Sequence, residues 1–482
     1  MPLEPERPVL SGTYPDPSVC ASPDGYYLMT STFEYFPGLP VFRSTDLCTW
    51  TQVGHVIDRL DQLDLSRVPS SGGLFAPTIR WHDGTFYLTC TLVKGSGREG
   101  NFVMTATDAA GPWSDPFWLD DAPGFDPSLS FVDGRAYYVG TRLAEQPQWH
   151  DEAEVWLQEL DLERMQLTGE KRVLWHGAVE GAVWAEGPHI YQKDGWFYLV
   201  ASEGGTEDHH AISVARSRDI LGPYEGSRGN PLFTHRALGI EHPIVGVGHP
   251  DLVEDADGRW WAFMLGSRPV GGFHANLGRE TFVTAVDWER GWPVFAPGVG
   301  QLAVVDGLRR LETTAVITEP WTQVRTGRVA GTVTGTVAGT TVTIPPGPAL
   351  DAVDTPAFLG VRQRDHGFSF GATVPPGAGI AVRQSESAHV LFSADGLYRR
   401  AYGDAELVAE VGSASRLEVR GSGQEYSFFA DDRLVATIDG RFLSTQSGYA
   451  AAEPSFLGVW VGVFSTSGST VAATDVRYSA QS

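Results

Sequence analysis

Five short aromatic or β-branched segments occur in the first 260 residues, and each of them follows an Asp-Gly pair. The pairs lie 59, 50, 61 and 63 residues apart, at Asp24-Gly25, Asp83-Gly84, Asp133-Gly134, Asp194-Gly195 and Asp257-Gly258. An Asp-Gly pair supplies the positive-φ conformations of a tight hairpin, and the residues after each pair have strand character. A repeat of this length is typical of one antiparallel sheet, so the pattern predicts a five-bladed β-propeller.

The repeat aligns residues that are far apart in the sequence. A proline lies six or seven residues upstream of each Asp-Gly pair, and one or two positions before it stand Asp16, Ala76, Asp126, Glu186 and His249. In a propeller these segments are the innermost strands, which surround the central axis. The alignment therefore predicts that three carboxylates and a histidine share one small volume.

The chain is long for one domain, and its composition changes near residue 320. Thirteen of the fifteen Trp residues precede residue 293, which places the propeller at 1–318 and a second domain at 319–482. The stretch 322–348, which includes the Gly-, Thr- and Val-rich residues 327–339, is predicted to be a linker that leads into short strands. Alternating segments such as 380–383 and 459–464, separated by turn signals, indicate a β-sandwich of the jelly-roll type.

The formal net charge of −24 argues against a nucleic-acid partner, because binding a polyanion requires clustered Lys and Arg. No apolar leader segment or run of eighteen apolar residues is present, so we expect neither secretion nor membrane insertion and predict a cytoplasmic protein. Cys20, Cys48 and Cys90 cannot all pair and lack metal-ligand spacing, which fits a reducing compartment. The oligomeric state is not predicted.

Asp16 and Asp126 share one local pattern. Asp16 stands between two prolines in Tyr-Pro-Asp-Pro-Ser at 14–18, and Asp126 lies in Phe-Asp-Pro-Ser at 125–128. Because proline fixes φ, the backbone is stiff and the side chain is oriented. A single Asp-Pro could be an ordinary turn, but two such units at matched repeat positions favour a shared site.

Glu186 is the third candidate carboxylate, two residues after Trp184. An acid beside aromatic surface has a raised pKa, which suits a general acid near neutral pH. Glu180 and Glu203 are competing candidates, and only the repeat alignment favours Glu186.

Two carboxyl groups, one a proton donor and the other a base, with aromatic residues around them are the arrangement of a glycosidase. A separation of about 6.5–9.5 Å between them gives inversion, whereas about 5–5.5 Å gives retention. Aromatic side chains stack on sugar rings, although each could instead serve blade packing. The candidates are Phe33, Tyr35, Phe36, Phe75 and Trp149.

Several ordered motifs together resemble glycoside hydrolase family 43, in particular its β-xylosidase and α-L-arabinofuranosidase branch. In the propeller these motifs are residues 14–18, 30–38, 75–79, 125–128, 186–188 and 277–282. Residues 358–363 and 456–462 resemble the β-sandwich appended in that branch.

The resemblance implies a role for each matched residue. Asp16 would be the general base that activates water, Glu186 the general acid, and Asp126 the residue that tunes and holds the acid, in a reaction that inverts the anomeric centre. Arg279 would contact sugar hydroxyls. His249 matches a histidine at the axial site, often near a calcium ion or its waters; such an ion would be structural, because the two-carboxyl mechanism requires no cofactor.

Two departures from the family pattern bear on the substrate. Phe75 stands where many β-xylosidases of this branch carry Trp, and the C-terminal domain is shorter than usual, with the loop 464–468 as its candidate for reaching the pocket rim. We expect an inverting, exo-acting enzyme that releases xylose from the non-reducing ends of short β-1,4-xylo-oligosaccharides. The alternatives are an α-L-arabinofuranosidase or bifunctional enzyme, a non-catalytic sugar-binding propeller, and a retaining, fructosidase-like propeller.

Overall fold

The computed structural model describes residues 3–326, 331–336 and 339–481, and its first half is a ring of five β-sheets. The first strand of each sheet contacts the first strands of its neighbours, so these five strands line the axis. The predicted five-bladed propeller is confirmed. Blade 1 contains Ser18–Ser22, Gly25–Met29, Gly38–Ser44, Thr49–Ile57 and Thr314–Val316; blade 2 contains Gly73–His82, Thr85–Val93, Gly100–Ala106 and Phe117–Trp118; blade 3 contains Phe125–Val132, Arg135–Leu143, Ala153–Asp161 and Gln166–Trp175; blade 4 contains Glu186–Lys193, Trp196–Glu203, Ala211–Ser217, Glu225–Gly226 and Phe233–Thr234; blade 5 contains Val245–Glu254, Trp260–Ser267, Glu280–Glu289 and Trp292–Phe295.

The aromatic pair after each Asp-Gly explains how the blades pack. Successive residues of a strand point to opposite faces of the sheet, and both faces of a blade are covered by a neighbouring blade. Tyr26 accordingly packs between blades 5 and 1, and Tyr27 between blades 1 and 2. In the same way Trp260 packs against blade 4 and Trp261 against blade 1. Each pair therefore contributes one ring to each adjoining core.

The N-terminal segment and the end of the propeller domain close the ring. The amide of Val9 donates to the carbonyl of Thr281 in blade 5 at 2.7 Å, and Tyr14 donates to the carbonyl of Arg279 at 3.0 Å. The short strands Glu4–Pro5 and Ala303–Val304 pair with each other. Thr314–Val316 then joins the outer edge of blade 1 in parallel.

The second half of the chain is a β-sandwich of two sheets that share one apolar core. In the described residues of the sandwich, Gly440–Leu443 is a 3-10 helix and Thr445–Ala450 is an α-helix. A further 3-10 helix, Arg236–Leu238, lies in the propeller between the strands of blades 4 and 5. The eight-stranded sheet has the order Glu406–Ala409, Gly396–Ala401, Ala388–Ser393, Ala378–Arg383, Trp460–Ser465, Phe358–Arg362, Trp321–Val324 and Tyr35–Phe36. The seven-stranded sheet has the order Thr332–Thr336, Gly339–Ile344, Val471–Ala480, Gly367–Thr373, Arg416–Ser422, Glu425–Ala430 and Arg433–Asp439.

The chain between the two domains is more ordered than the sequence predicts. Thr332–Thr336 pairs with Gly339–Ile344, so these two parts of the predicted linker 322–348 are strands. Its residues 327–330 and 337–338 lie outside the described residues. The boundary at 318/319 stays a prediction; it falls between a strand of blade 1 and the strand Trp321–Val324 of the sandwich.

Two further properties concern the whole described chain. The three cysteines are free, with Cys20 and Cys90 buried and Cys48 half-buried. None of the described helices combines the length and the apolar character that crossing a membrane requires.

A buried ionic network joins the propeller to the sandwich. Arg383, on the eight-stranded sheet, has a fully buried side chain that donates to Tyr35 Oη and Ser70 Oγ at 2.8 Å each and to Glu386 Oε1 at 3.1 Å. Its Nη1 also lies 3.5 Å from Glu34 Oε1. Breaking a buried ion pair by removing one partner leaves an uncompensated charge, which is strongly destabilising.

We expect Arg383→Met to lower the free energy of unfolding by about 3–5 kcal/mol, because Glu34 and Glu386 lose their shared partner. Arg400→Met is the control: Arg400 pairs with Asp351 at 2.7 Å on the surface, and its loss should cost less than about 1 kcal/mol. Denaturant unfolding of both variants measures the difference. Equal, small effects would contradict a structural role of the buried network.

Candidate active site

The innermost strand of every blade carries the same backbone distortion. Each proline on the axis follows a residue with positive φ: Asp16 at 53°, Ala76 at 34°, Asp126 at 53°, Gly187 at 58° and His249 at 52°. In blades 2 to 5 the strand pairing also shifts register at this point, which is a β-bulge. A bulge redirects a side chain, so each blade presents a residue at the same level of the axis. Glu186 directly precedes Gly187, one position before its counterparts.

Asp16 is buried and held by two donors. Arg279 Nη1 donates to Oδ1 at 3.0 Å, and Ser31 Oγ donates to Oδ2 at 2.6 Å. Burial raises the pKa of Asp16, but the charges of Arg279 and His249 and the bond from Ser31 outweigh burial and hold the pKa below its ordinary value. Asp16 is therefore ionised, as a general base must be.

Glu186 has the opposite electrostatic environment. Burial, followed by the negative charges of Asp126 and Asp16, raises the pKa of Glu186 well above its ordinary value. Asp126 accepts the amide of Gly187 at 3.1 Å, which ties it to the segment that carries Glu186. Burial and the neighbouring Asp16 raise the pKa of Asp126 to about 6. This environment favours the protonated form of Glu186, which is the form that a general acid requires.

The two competing glutamates have other surroundings. Glu180 is exposed. Glu203 is buried, but its carboxylate accepts the amides of Ala178 and Val179 at 3.1 and 3.0 Å and the hydroxyl of Ser213. Glu203 thus holds the loop before Glu186 rather than facing the cavity.

A cavity of about 530 Å³ opens above these carboxyl groups. One wall is aromatic: Phe33 meets Phe75 edge to face with ring centres 5.0 Å apart, and Phe33 stacks on Phe456 at 5.9 Å. Phe456 and Tyr449 both belong to the sandwich domain and line the cavity with the propeller residues. The site is therefore built by both domains.

Of the remaining predicted site residues, Arg279 and His249 line the cavity and Trp149 does not. Arg279 lines the cavity and also donates to Thr206 Oγ1 at 3.0 Å, and His249 lies 3.9 Å from both Asp16 Oδ1 and Asp126 Oδ2. Trp149 is not among the described lining residues; its indole N–H donates to the carbonyl of Ala182 at 2.8 Å.

The other two aromatic candidates are packing residues. Tyr35 stacks on Trp460 at a ring distance of 3.8 Å, and Phe36 packs in the core between blades 1 and 2.

Comparisons with known proteins agree with this geometry. The model of the family described as Glycosyl hydrolases family 43 matches residues 5–293. The chain belongs to glycosyl hydrolase family 43. It is 44% identical over 410 residues to a xylosidase/arabinosidase of Butyrivibrio fibrisolvens, covering 80% of this chain and 78% of that protein.

Two further relatives of this family-43 chain bear on activity and fold. A non-reducing end α-L-arabinofuranosidase of Bacteroides ovatus is 42% identical over 289 residues, covering 60% of this chain and 52% of that protein. The crystal structure of a xylan β-1,4-xylosidase from Bacillus halodurans has a TM-score of 0.84 at 28% identity, covering 98% of this chain and 99% of that one. The family-43 protein is therefore a glycoside hydrolase with the propeller and sandwich of its structural neighbour.

The sandwich reaches the pocket of this family-43 enzyme by a different segment from the predicted one. The loop 464–468 stays within the sandwich, where Ser465 donates to the carbonyl of Ala357 at 3.0 Å and Thr466 to that of Gly377 at 2.9 Å. Tyr449 and Phe456 line the cavity instead. The sequence left open whether this domain reaches the pocket rim, because only the docking of the two domains determines which segment faces the axis.

Sequence reasoning missed several residues of the family-43 site. Thr206, which lines the cavity, and His210, whose Nε2 lies 3.7 Å from Glu186 Oε1, are in the connection between two strands of blade 4. Tyr449, which also lines the cavity, lies in the short α-helix of the sandwich. Ser31 was inside a matched motif but had no assigned role. These positions lie outside the repeat of X-Pro bulges, which was the signal that located Asp16, Asp126 and Glu186.

The carboxylates near His249 offer few free oxygen ligands for the predicted calcium ion. Ca²⁺ takes six to eight oxygen ligands, whereas Asp16 and Asp126 already accept bonds from Arg279, Ser31 and Gly187. Within the described ranges no group of three or more His, Cys, Asp or Glu side chains is arranged to hold a metal. These residues do not form a cage of protein oxygens, and calcium held by His249 through water stays a prediction.

We expect Ser31→Ala to move the acidic limb of the kcat/KM profile to higher pH by about 0.5–1 unit. The hydrogen bond from Ser31 stabilises the charged form of Asp16, so its removal raises the pKa of Asp16. Ser18→Ala is a matched control. Ser31 accepts the amide of Ala76 and donates to Asp16, whereas Ser18 accepts the amide of Ile79 and donates to Asp251 at 2.6 Å. An equal shift in both variants, measured with an aryl glycoside, would contradict the assignment of Asp16.

Proposed function

We propose that this family-43 enzyme is an inverting, exo-acting β-xylosidase that releases xylose from the non-reducing ends of short β-1,4-xylo-oligosaccharides. The observation that carries the proposal is a pair of buried carboxyl groups in one cavity whose pKa values are shifted in opposite directions. Asp16 is kept ionised by Arg279, and Glu186 is kept protonated by burial and by Asp126. Opposite shifts of this kind assign the base and the acid.

The reaction follows from these two protonation states. The carboxylate of Asp16 accepts a proton from water, and the water oxygen forms a bond to the anomeric carbon. The bond from that carbon to the glycosidic oxygen breaks, and Glu186 donates its proton to the leaving oxygen. Water attacks the face opposite the leaving group, so the anomeric centre inverts.

Exo action is supported by the aromatic wall. Phe33, Phe75 and Phe456 pack against one another, and Tyr449 lies 6.1 Å from Phe456 between ring centres. Together they cover one side of the cavity with apolar surface, which leaves a pocket suited to a terminal sugar rather than a groove for a long chain. The predicted cytoplasmic location, where only short imported oligosaccharides would be present, agrees with this proposal.

A second candidate is α-L-arabinofuranosidase activity, alone or alongside the first. The Butyrivibrio relative carries both activities in its name, and the Bacteroides relative is named for the arabinofuranosidase activity. Phe75 stands where related β-xylosidases carry Trp, and it contributes directly to the cavity wall. Discrimination between the two pentoses would depend on a few contacts worth roughly 1–3 kcal/mol.

Proton NMR of xylobiose hydrolysis should show α-xylose before mutarotation, because inversion of a β-linkage yields the α-anomer. The same protein is assayed with 4-nitrophenyl β-D-xyloside and α-L-arabinofuranoside. Turnover of the arabinofuranoside alone would move the activity to debranching, and early β-xylose would contradict inversion.

Asp16→Ala should abolish turnover of every pentoside, because water then has no base to accept its proton, while the circular dichroism spectrum stays unchanged. Near-normal activity of this variant would show that Asp16 is not the base.

We propose that the reaction itself uses no metal, because Asp16 and Glu186 supply the base and the acid. A calcium ion beside His249 would act on stability and on the local field. Dialysis against EDTA should therefore leave kcat/KM for xylobiose largely unchanged, with any loss appearing in the melting temperature. A large loss of kcat/KM that added Ca²⁺ restores would contradict this proposal.

A further inference from the structure

His210 is a buried histidine beside Glu186, and the proposed reaction assigns it no role. It precedes the strand Ala211–Ser217 of blade 4, and its side chain is completely buried. The ring lies against Gly248 of blade 5, where an added Cβ would come within 2.3 Å of the imidazole. Only a glycine at position 248 leaves room for the imidazole ring beside Glu186.

The hydrogen bonds of His210 assign its tautomer. Nδ1 lies 3.2 Å from the carbonyl oxygen of Gly246, and a carbonyl can only accept, so Nδ1 carries the proton. Burial, aided by the charges of His249 and Arg279, lowers the pKa of His210 to about 3. The imidazole is therefore neutral, and Nε2 keeps its lone pair.

That lone pair faces Glu186. Nε2 lies 3.7 Å from Glu186 Oε1 and is a buried atom without a hydrogen-bond partner in the described part of the chain. Buried polar atoms are nearly always hydrogen-bonded, and hydrogen bonds of catalytic groups are often long before substrate binds. A small rotation of a protonated Glu186 brings its O–H to Nε2. The other titratable or charged groups around this pair are Asp16, Asp126, Arg279, His249 and Tyr449.

We propose that His210 is a positioning residue for the general acid: its neutral Nε2 accepts the carboxyl O–H of Glu186 and keeps the acid protonated and oriented between turnovers. When the glycosidic oxygen enters, the O–H turns from Nε2 to that oxygen and the proton is donated. The carboxylate left behind then faces the lone pair of Nε2, which favours its reprotonation from solvent. This inference rests on the proposed role of Glu186.

The test is His210→Asn compared with His210→Gln. Asn keeps an amide N–H near the position of Nδ1 but has no atom at the position of Nε2, whereas Gln places a carbonyl oxygen there. For His210→Asn we expect the alkaline limb of kcat/KM for xylobiose to move to lower pH by about one unit, because the protonated acid loses its acceptor. His210→Gln should recover at least half of the shift.

The leaving group separates this effect from a merely structural one. At pH values above the limb, His210→Asn should lose about tenfold in kcat/KM with xylobiose, whereas 2,4-dinitrophenyl β-D-xyloside, whose leaving group needs no proton, should stay within about threefold. A loss that is equal for both substrates and independent of pH would overturn the proposal. An unshifted limb in a folded His210→Asn variant would overturn it as well.

Two controls keep the outcomes distinct. His235→Asn changes another buried histidine, whose Nδ1 lies 2.7 Å from the carbonyl of Ile244 and whose Nε2 accepts the amide of Leu302 at 3.0 Å; it should leave the limb in place. Glu186→Ala should show the same preference for the activated substrate. If Glu186→Ala shows no preference for the activated substrate, the proposed role of Glu186 is wrong. If Glu186→Ala shows this preference and His210→Asn does not, only the proposed role of His210 is wrong.

A measurement on the unmodified enzyme covers the case in which the Asn variant does not fold. Nitrogen-15 NMR of histidine-labelled enzyme should show His210 protonated on Nδ1 and neutral from pH 5 to 8. The His210 signals are assigned as those that are missing from the spectrum of His210→Gln. A proton on Nε2, or a charged ring within that range, would overturn the proposal.

Discussion

The site depends on one backbone constraint, a left-handed residue before proline on the innermost strand of every blade. For an L-residue this conformation costs about 1–2 kcal/mol, and it persists where the surroundings fix it. Here the ring of blades fixes it, because each bulged strand is packed between two neighbours. Asp16, Asp126 and His249 occupy three of the five positions. The fold thus imposes the level at which the catalytic groups meet, and the sequence only chooses which side chain stands at each position.

Within that level, the unequal placement of the Arg279 guanidinium gives Asp16 and Glu186 different electrostatic environments. Three buried carboxyl groups share a small volume, and each would have a raised pKa from burial alone. Arg279 bonds directly to Asp16, which is also the acceptor of Ser31, so the negative charge resides there. In the part of the chain that the structure describes, Glu186 receives no such donor and faces a neutral imidazole instead. Two carboxyl groups that are both buried therefore have pKa values shifted in opposite directions.

The parts of the site that follow a local rule could be predicted from the sequence. An Asp-Gly turn and an X-Pro unit recur once per blade, so their spacing located the propeller and the carboxylates. The same alignment selected Glu186, one residue before Gly187, over Glu180 and Glu203. Trp149 and the loop 464–468 were chosen without such a rule, and neither lines the cavity. Which loop of the sandwich faces the axis depends on contacts across the domain interface, which no local pattern encodes.

Those contacts make the sandwich part of the active site. The buried network continues from Arg383 to Glu34, whose carboxylate accepts the amide of Ser71 at 3.1 Å, and Ser71 Oγ in turn accepts the amide of Phe456 at 2.9 Å. Burying these charges contributes little net stability, whereas unpaired charges would make any other docking costly. Phe456, the last residue of this chain of contacts, belongs to the aromatic wall, so the network fixes its position over Arg279. Both the carbonyl and the ring of Phe456 lie close to the Arg279 guanidinium. The shape of the pocket is thereby set by how the two domains dock.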